Sequence, residues 1–254
     1  MLLRRITEHV KAQNWTAVAL DFFIVVVGVF IGIQVSNWNE ARVENALADT
    51  FLVRLHEDIS KDEAALKNRV EFWKEVIDYG ADAINYIESG DLGDNSEWEL
   101  LIAFYQASQL WKYEASDPTF EELKGGGQLG LIKNNALRTD LVGYYEDLDR
   151  RAADLYTLNP EYRRIIRAKT PYSIQTHIWE NCHTGDGVDQ ELLDCGLPDA
   201  ELDVLSILED FAEDPRVIES LRFWIVNLSI TRDQGILERE RLRVLAGKIK
   251  KAQE

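Results

Sequence analysis

Residues 21–40 read DFFIVVVGVFIGIQVSNWNE, and the fold turns on what this stretch is. Between Ala17 and Ser36 only Asp21 and Gln34 interrupt an apolar run. About 20 such residues in a helix cross the ~30 Å hydrocarbon core of a bilayer. Three readings compete: a cleaved signal, a buried core helix and a retained span. The small-x-small tripeptide that cleavage needs is Ala46-Leu47-Ala48, well past the run and behind Trp38, Asn39 and Glu40. Cleavage therefore fits poorly. Trp15 precedes the run and Trp38 follows it, where indole rings favour the two membrane interfaces. The expectation is a transmembrane helix over residues 16–37.

The flanks set its orientation. Arg4, Arg5 and Lys11 precede the run with Glu8 as the only acid, while the far flank mixes Glu40, Arg42, Glu44, Asp49 and Arg54. Basic flanks stay in the cytoplasm. Residues 1–15 are thus expected inside, with Leu2, Leu3, Ile6 and Val10 on one face of an amphipathic tail. Residues 38–254 are expected outside, which in a bacterium is the periplasm. Within the run, Gly28, Gly32 and Ser36 form a small-residue ridge with a four-residue step. Such ridges let helix backbones approach closely in lipid. Asp21 lies seven residues before Gly28, on the same face. It reaches headgroup water, joins an oligomer contact or lines an ion path; these three readings stay open.

The 254 residues carry a formal net charge of −17. Residues 1–37 hold three basic and two acidic side chains, so the remainder carries −18. That charge argues against nucleic acid as a partner, since phosphates would repel it. Cys182 and Cys195 both fall in NCHTGDGVDQELLDC, within a loop expected at about 178–200. Outside the cytoplasm such a pair forms a disulfide, and closing a loop of about 15 residues contributes ~3 kcal/mol. A zinc site from His177, Cys182, His183 and Cys195 is the rival, although the paired C-x-x-C spacing is missing. Free thiols are the third possibility.

The rest reads as helices. Leu47, Phe51, Leu55 and Ile59 step by four, and Leu66, Val70, Trp73, Ile77 and Ile84 continue the periodicity. A long helix over 38–88 that leaves the span without a break is expected. Ser89 to Asn95 is a turn cluster. Ser96 and Glu99 have the spacing of a capping box, opening a helix to about Lys112. Pro118 opens a third, which Gly125, Gly126 and Gly127 end. Others are expected from Asn135 to about Leu158, over 161–168, from Glu201 to Ala212, and from Pro215 to about Lys251. Trp73, Trp98, Trp111 and Trp224 are expected in the core. The basic tail Lys248-Ile249-Lys250-Lys251 complements a helix C-terminal dipole. The fold class is all-α: one transmembrane helix continuing into an antiparallel bundle.

KGGGQLGLIKNN is not a phosphate loop, since no Lys-Ser/Thr follows the glycines and no strand precedes them. The Gly-x-Ser-x-Gly and His-Glu-x-x-His motifs are absent, and the four histidines are scattered. No catalytic role, cofactor or metal is expected.

The segment DPTFEELKGGGQLGLIKNNALRTDLVGYY has the pattern Phe-x-x-Leu, small residues, Gly-x-Leu-x-x-Ile, then Leu-Arg and Tyr-Tyr. It resembles a segment found in a family of single-span bacterial membrane proteins of unknown function. The N-terminal block is similar too, matching at Asp21, Gly28, Gln34, Asn37, Trp38, Asn39 and Glu40. The triple glycine departs from the serine-glycine more usual there. The resemblance implies a bacterial inner-membrane location and no activity. The expected function is a membrane-anchored interaction or scaffold protein, a homo-oligomer or an accessory subunit with a membrane-protein partner. An extracytoplasmic sensor or ligand-binding bundle is the alternative, and a channel component the third.

Overall fold

The computed structural model describes residues 15–155, 160–186, 189–198 and 202–253. The expected amphipathic tail over 1–15 (apart from Trp15), the end near Leu158 and the start at Glu201 lie outside the described residues. Helix α1, Trp15–Ser89, is one element of 75 residues, about 110 Å long at ~1.5 Å per residue. No proline interrupts it. It stops where Gly90 takes a φ of 71° and donates its N–H to the Tyr86 carbonyl. That left-handed conformation is one glycine adopts without strain.

Burial divides α1. No residue between Trp15 and Leu47 is buried; burial starts at Ala48 and continues as a stripe through Phe51, Leu55, Ile59, Leu66, Trp73, Val76 and Ala83. The final helix, α8 (Pro215–Ala252), runs back along this stripe. The register is fixed at several heights. Arg222 pairs with Glu88, Gly80 lies under Ile225, Gly235 under Trp73 and Val70, and Arg239 and Arg243 both reach Glu63. A Cβ on Gly80 would stand 2.3 Å from Ile225 Cδ1, so the two helices touch there only because the side chain is missing. Each fully buried Leu or Ile along the seam contributes roughly 1.5–3 kcal/mol.

Two cores flank the α1–α8 pair. The first lies nearer the exposed run. It joins α1 from Phe51 to Val76 with α3 (Pro118–Gly125), a 3-10 turn (Leu129–Leu131), α4 (Asn135–Leu155) and the C-terminal half of α8. The second gathers α2 (Glu97–Gln106), α5 (Glu161–Lys169), α6 (Tyr172–Asn181), α7 (Val204–Glu213) and the N-terminal half of α8. In α2, Trp98 and every residue from Leu100 to Gln106 are buried, as fits a helix apolar all round. Ser96 and Glu99 form the expected capping box. Gly127, at φ 65°, ends α3, with Gln128 N–H on Leu123 and Gly127 N–H on Lys124. The architecture is all-α among the described residues, apart from one small hairpin.

Two expectations need correction. The helix that opens at Ser96 ends at Gln106 rather than Lys112. Residues 107–117 form a non-helical strap laid across α1. The expected loop at 178–200 is also more ordered. Its start belongs to α6, and β1 (His183–Gly185) pairs antiparallel with β2 (Gln190–Leu192), His183 facing Leu192.

Candidate functional site

The exposed third of α1 carries the residues singled out for membrane contact. Trp15 and Trp38 are 69% and 68% exposed, and the large apolar side chains between them face outward. Among the described residues nothing lies within 4 Å of a Cβ placed on Gly28 or Gly32, so none of them covers that ridge. Ser36 donates its hydroxyl to Glu40 at 3.3 Å, an exposed bond within the helix. One Asp21 oxygen is shielded and has no hydrogen-bond partner among the described residues.

The second feature is one that periodicity alone passes over. The strap is irregular backbone in a buried place, and such backbone must find hydrogen bonds. Side chains of α1 supply them. Trp73 Nε1 donates to the Trp111 carbonyl at 3.1 Å, and Arg69 Nε to the Lys112 carbonyl at 2.9 Å. The Asp62 carboxylate accepts the Ser116 N–H at 2.6 Å, and Asp58 accepts the Thr119 N–H at 3.3 Å. Residues 58, 62, 69 and 73 step by four, seven and four, so they share a face. Asp117, the N-cap of α3, makes no side-chain cap of its own. Asp58 caps that helix from α1, where a negative charge suits the helix N-terminus. The Arg69 guanidinium lies 3.3 Å over the Trp111 ring, a cation–π contact that also holds the strap.

Asp62 is 1% exposed. Its other oxygen accepts the Tyr144 hydroxyl at 2.8 Å, and Tyr144 is 3.1 Å from the Tyr113 hydroxyl. Burial pushes the Asp62 carboxyl up to about 7, with Asp58 and Asp117 adding like charge, against the bonds from Ser116 and Tyr144. Burial likewise raises Tyr144 and Tyr145. The Asp62 carboxyl therefore titrates close to neutral pH instead of in acid.

In the distal core the beginning of the strap is bound the same way. Trp224 Nε1 donates to the Ala107 carbonyl at 2.9 Å and Arg163 to the Ser108 carbonyl at 2.6 Å. Arg167 donates to Gln109 and Ser108. Burial, with Arg167 beside it, lowers the Arg163 guanidinium to about 10. Trp73, Trp98 and Trp111 are buried and Trp224 is half-buried. Three of these four indoles donate to main-chain carbonyls outside helices, which explains their use in preference to Phe.

Cys182 and Cys195 form a disulfide, with Cα atoms 5.1 Å apart. His177 lies beside it; one ligand atom each from His177, Cys182 and Cys195 fall within 4.8 Å of one another. His183 turns away, stacking on Trp179 at 4.2 Å and reaching Gln190. A groove of about 610 Å³ also runs between α4 and α8, lined by Tyr144, Leu237, Glu238, Arg241 and Val244 among others.

Comparison with family models, with curated proteins and with solved structures finds no match for this chain. The class that fold and site define is a helical protein with, among the described residues, one candidate span by length and apolarity, and a two-core bundle.

Proposed function

We propose that this protein is a non-catalytic, single-span scaffold or interaction protein of a bacterial inner membrane. Its N-terminus is cytoplasmic and its bundle periplasmic. It self-associates or serves as an accessory subunit of a larger membrane complex. The observation that carries this is the continuity of α1: the uncovered apolar run and the bundle's central helix are one element. The resemblance of the Asp21–Glu40 and Asp117–Tyr145 blocks to a single-span family supports the same location. The basic N-terminal flank supports the orientation.

The test is the native mass of the complex, gently extracted from its host membrane, with every co-purifying chain identified. A defined multiple of this chain or a stable foreign partner is expected; a lone monomer overturns the proposal. If the multiple is found, Gly28→Leu with Gly32→Leu should lower self-association about tenfold in a bilayer assay, a loss of ~1.4 kcal/mol. The α4–α8 groove favours a second reading, a ligand-binding bundle that signals through a partner. A thermal shift with small molecules, abolished by a bulky change at Leu237, would support it.

A further inference from the structure

His177 sits on α6, and Cys182 is the C-cap of that helix. Cys195 lies in the extended stretch after β2. The positions of all three are held by contacts that do not use the sulfurs. The Cys182 carbonyl accepts the Gln106 side chain and the Leu193 N–H, both at 3.0 Å. The Cys195 carbonyl accepts the Trp98 indole at 2.9 Å. The same indole meets the His177 ring edge-on at 5.7 Å. None of these contacts depends on the sulfur–sulfur bond.

The histidine is oriented as well. His177 Nε2 is 2.8 Å from the Gly196 carbonyl. A carbonyl only accepts, so Nε2 donates there, while Nδ1 lies 3.4 Å from the Asn181 side-chain amide nitrogen, a donor that a metal would displace. A metal-binding histidine has this arrangement, its second nitrogen donating to a backbone carbonyl. Cys182 is fully buried while Cys195 and His177 are part-exposed, so the group has a buried floor and an open side. Two sulfurs and an imidazole suit a borderline-soft cation such as zinc, and three protein ligands leave a fourth position for water.

We propose that His177, Cys182 and Cys195 form a redox-gated zinc(II) site, closed as a disulfide and opened by reduction. The opening step is an exchange with a dithiol reductant. Two electrons and two protons pass to the Cys182–Cys195 bond, giving two thiols, and the reductant leaves as its own disulfide. Zinc then takes both sulfurs as thiolates, releasing two protons, together with His177 Nδ1, which exchanges its contact with the Asn181 amide for the metal. In a tetrahedral site with Zn–S near 2.3 Å the sulfurs stand about 3.8 Å apart, so they separate by roughly 2 Å on opening. The disulfide and the metal site that the sequence leaves as rivals are two redox states of one group.

The test uses the full chain in detergent, with and without anaerobic reduction by a phosphine. Excess zinc is removed by gel filtration and bound metal is measured; cobalt(II) serves as a second probe through its thiolate charge-transfer absorption. The expected result is one zinc per reduced chain, none on the oxidised chain, and a thiolate band with cobalt. His177→Gln keeps a donor for the Gly196 carbonyl but removes the imidazole. It should weaken zinc binding at least tenfold, the scale seen on losing even an outer partner of a metal ligand, with helical circular dichroism unchanged. Equal zinc on the oxidised chain, no zinc on the reduced chain, or undiminished affinity in His177→Gln overturns the proposal. If His177→Gln loses helical signal, Cys195→Ser decides: loss of the cobalt thiolate band on a folded chain supports the site, and a retained band sinks it.

Discussion

The two parts of α1 obey different rules along one unbroken helix. From Trp15 to Leu47 apolar side chains point in every direction and none is buried. From Ala48 to Ser89 the apolar residues narrow to a stripe, and charged residues occupy the rest of the surface. Their acids differ as well. Asp21 sits in the uncovered part with one shielded oxygen lacking a partner, whereas Asp62 is enclosed and accepts two hydrogen bonds. The difference teaches that the surroundings, not helix propensity, decide the composition of each part. One part suits lipid as it stands; the other needs α8 and the strap.

The comparison breaks most sharply in the uncovered part. Val27→Arg with Ile31→Arg should cost about 5–7 kcal/mol of membrane insertion, since arginine near a span centre costs ~2.5–3.5 kcal/mol. The doubly substituted chain should leave the membrane fraction on alkaline extraction while keeping its helical spectrum. A chain that stays in the pellet without aggregating would show that the run is no span.

The next effect is on Asp62. Its carboxyl binds a proton more tightly in the fold, at about 7, than in the unfolded chain near 3.8. Its stabilising contribution is therefore complete below about pH 4 and is lost as pH rises toward 7. The shift is worth ~4 kcal/mol. Urea unfolding should give a wild-type stability that falls across this window and an Asp62→Asn stability with a much smaller slope. Parallel slopes would remove Asp62 as the titrating group.

The smallest effect sharpens the seam. Gly80→Ala places a methyl against Ile225 and should cost roughly 1–3 kcal/mol. Ile225→Val in the same chain should restore part of it, a coupling that a double-mutant cycle measures. Independent effects would mean that the helices do not meet at Gly80.

Much of this architecture is legible in the sequence, for local reasons. The uncovered apolar run, the Ser96 capping box, the helix starts at Pro118 and Pro215 and the Gly127 stop are each written in adjacent residues. The strap is not. From Ala103 to Tyr113 nothing local ends a helix, since no glycine or proline appears before Pro118. The backbone leaves the helix because Trp224, Arg163, Trp73 and Arg69 occupy its carbonyls. Those partners lie from 38 to 117 residues away, beyond any periodic window. One signal was present: Asp58, Asp62 and Arg69 fall within the apolar stripe of Leu55, Ile59, Leu66 and Trp73, where a solvent-facing charge has no place. The hairpin at 183–192 escaped for another reason, its three-residue strands being too short to show alternation.

The absence of any joint in α1 has a mechanical consequence. With Trp38 at a bilayer surface, the helix extends roughly 75 Å beyond it to Ser89. Transmembrane helices commonly tilt anywhere between 0 and 40°. A change of about 10° within that range would sweep the far end through some 13 Å, and an axial rotation of the span would turn both cores with it. With its apolar run in a bilayer as proposed, α1 would act as a lever arm, its short end in the membrane and its load at the distal core, so that whatever gripped the run would steer the bundle.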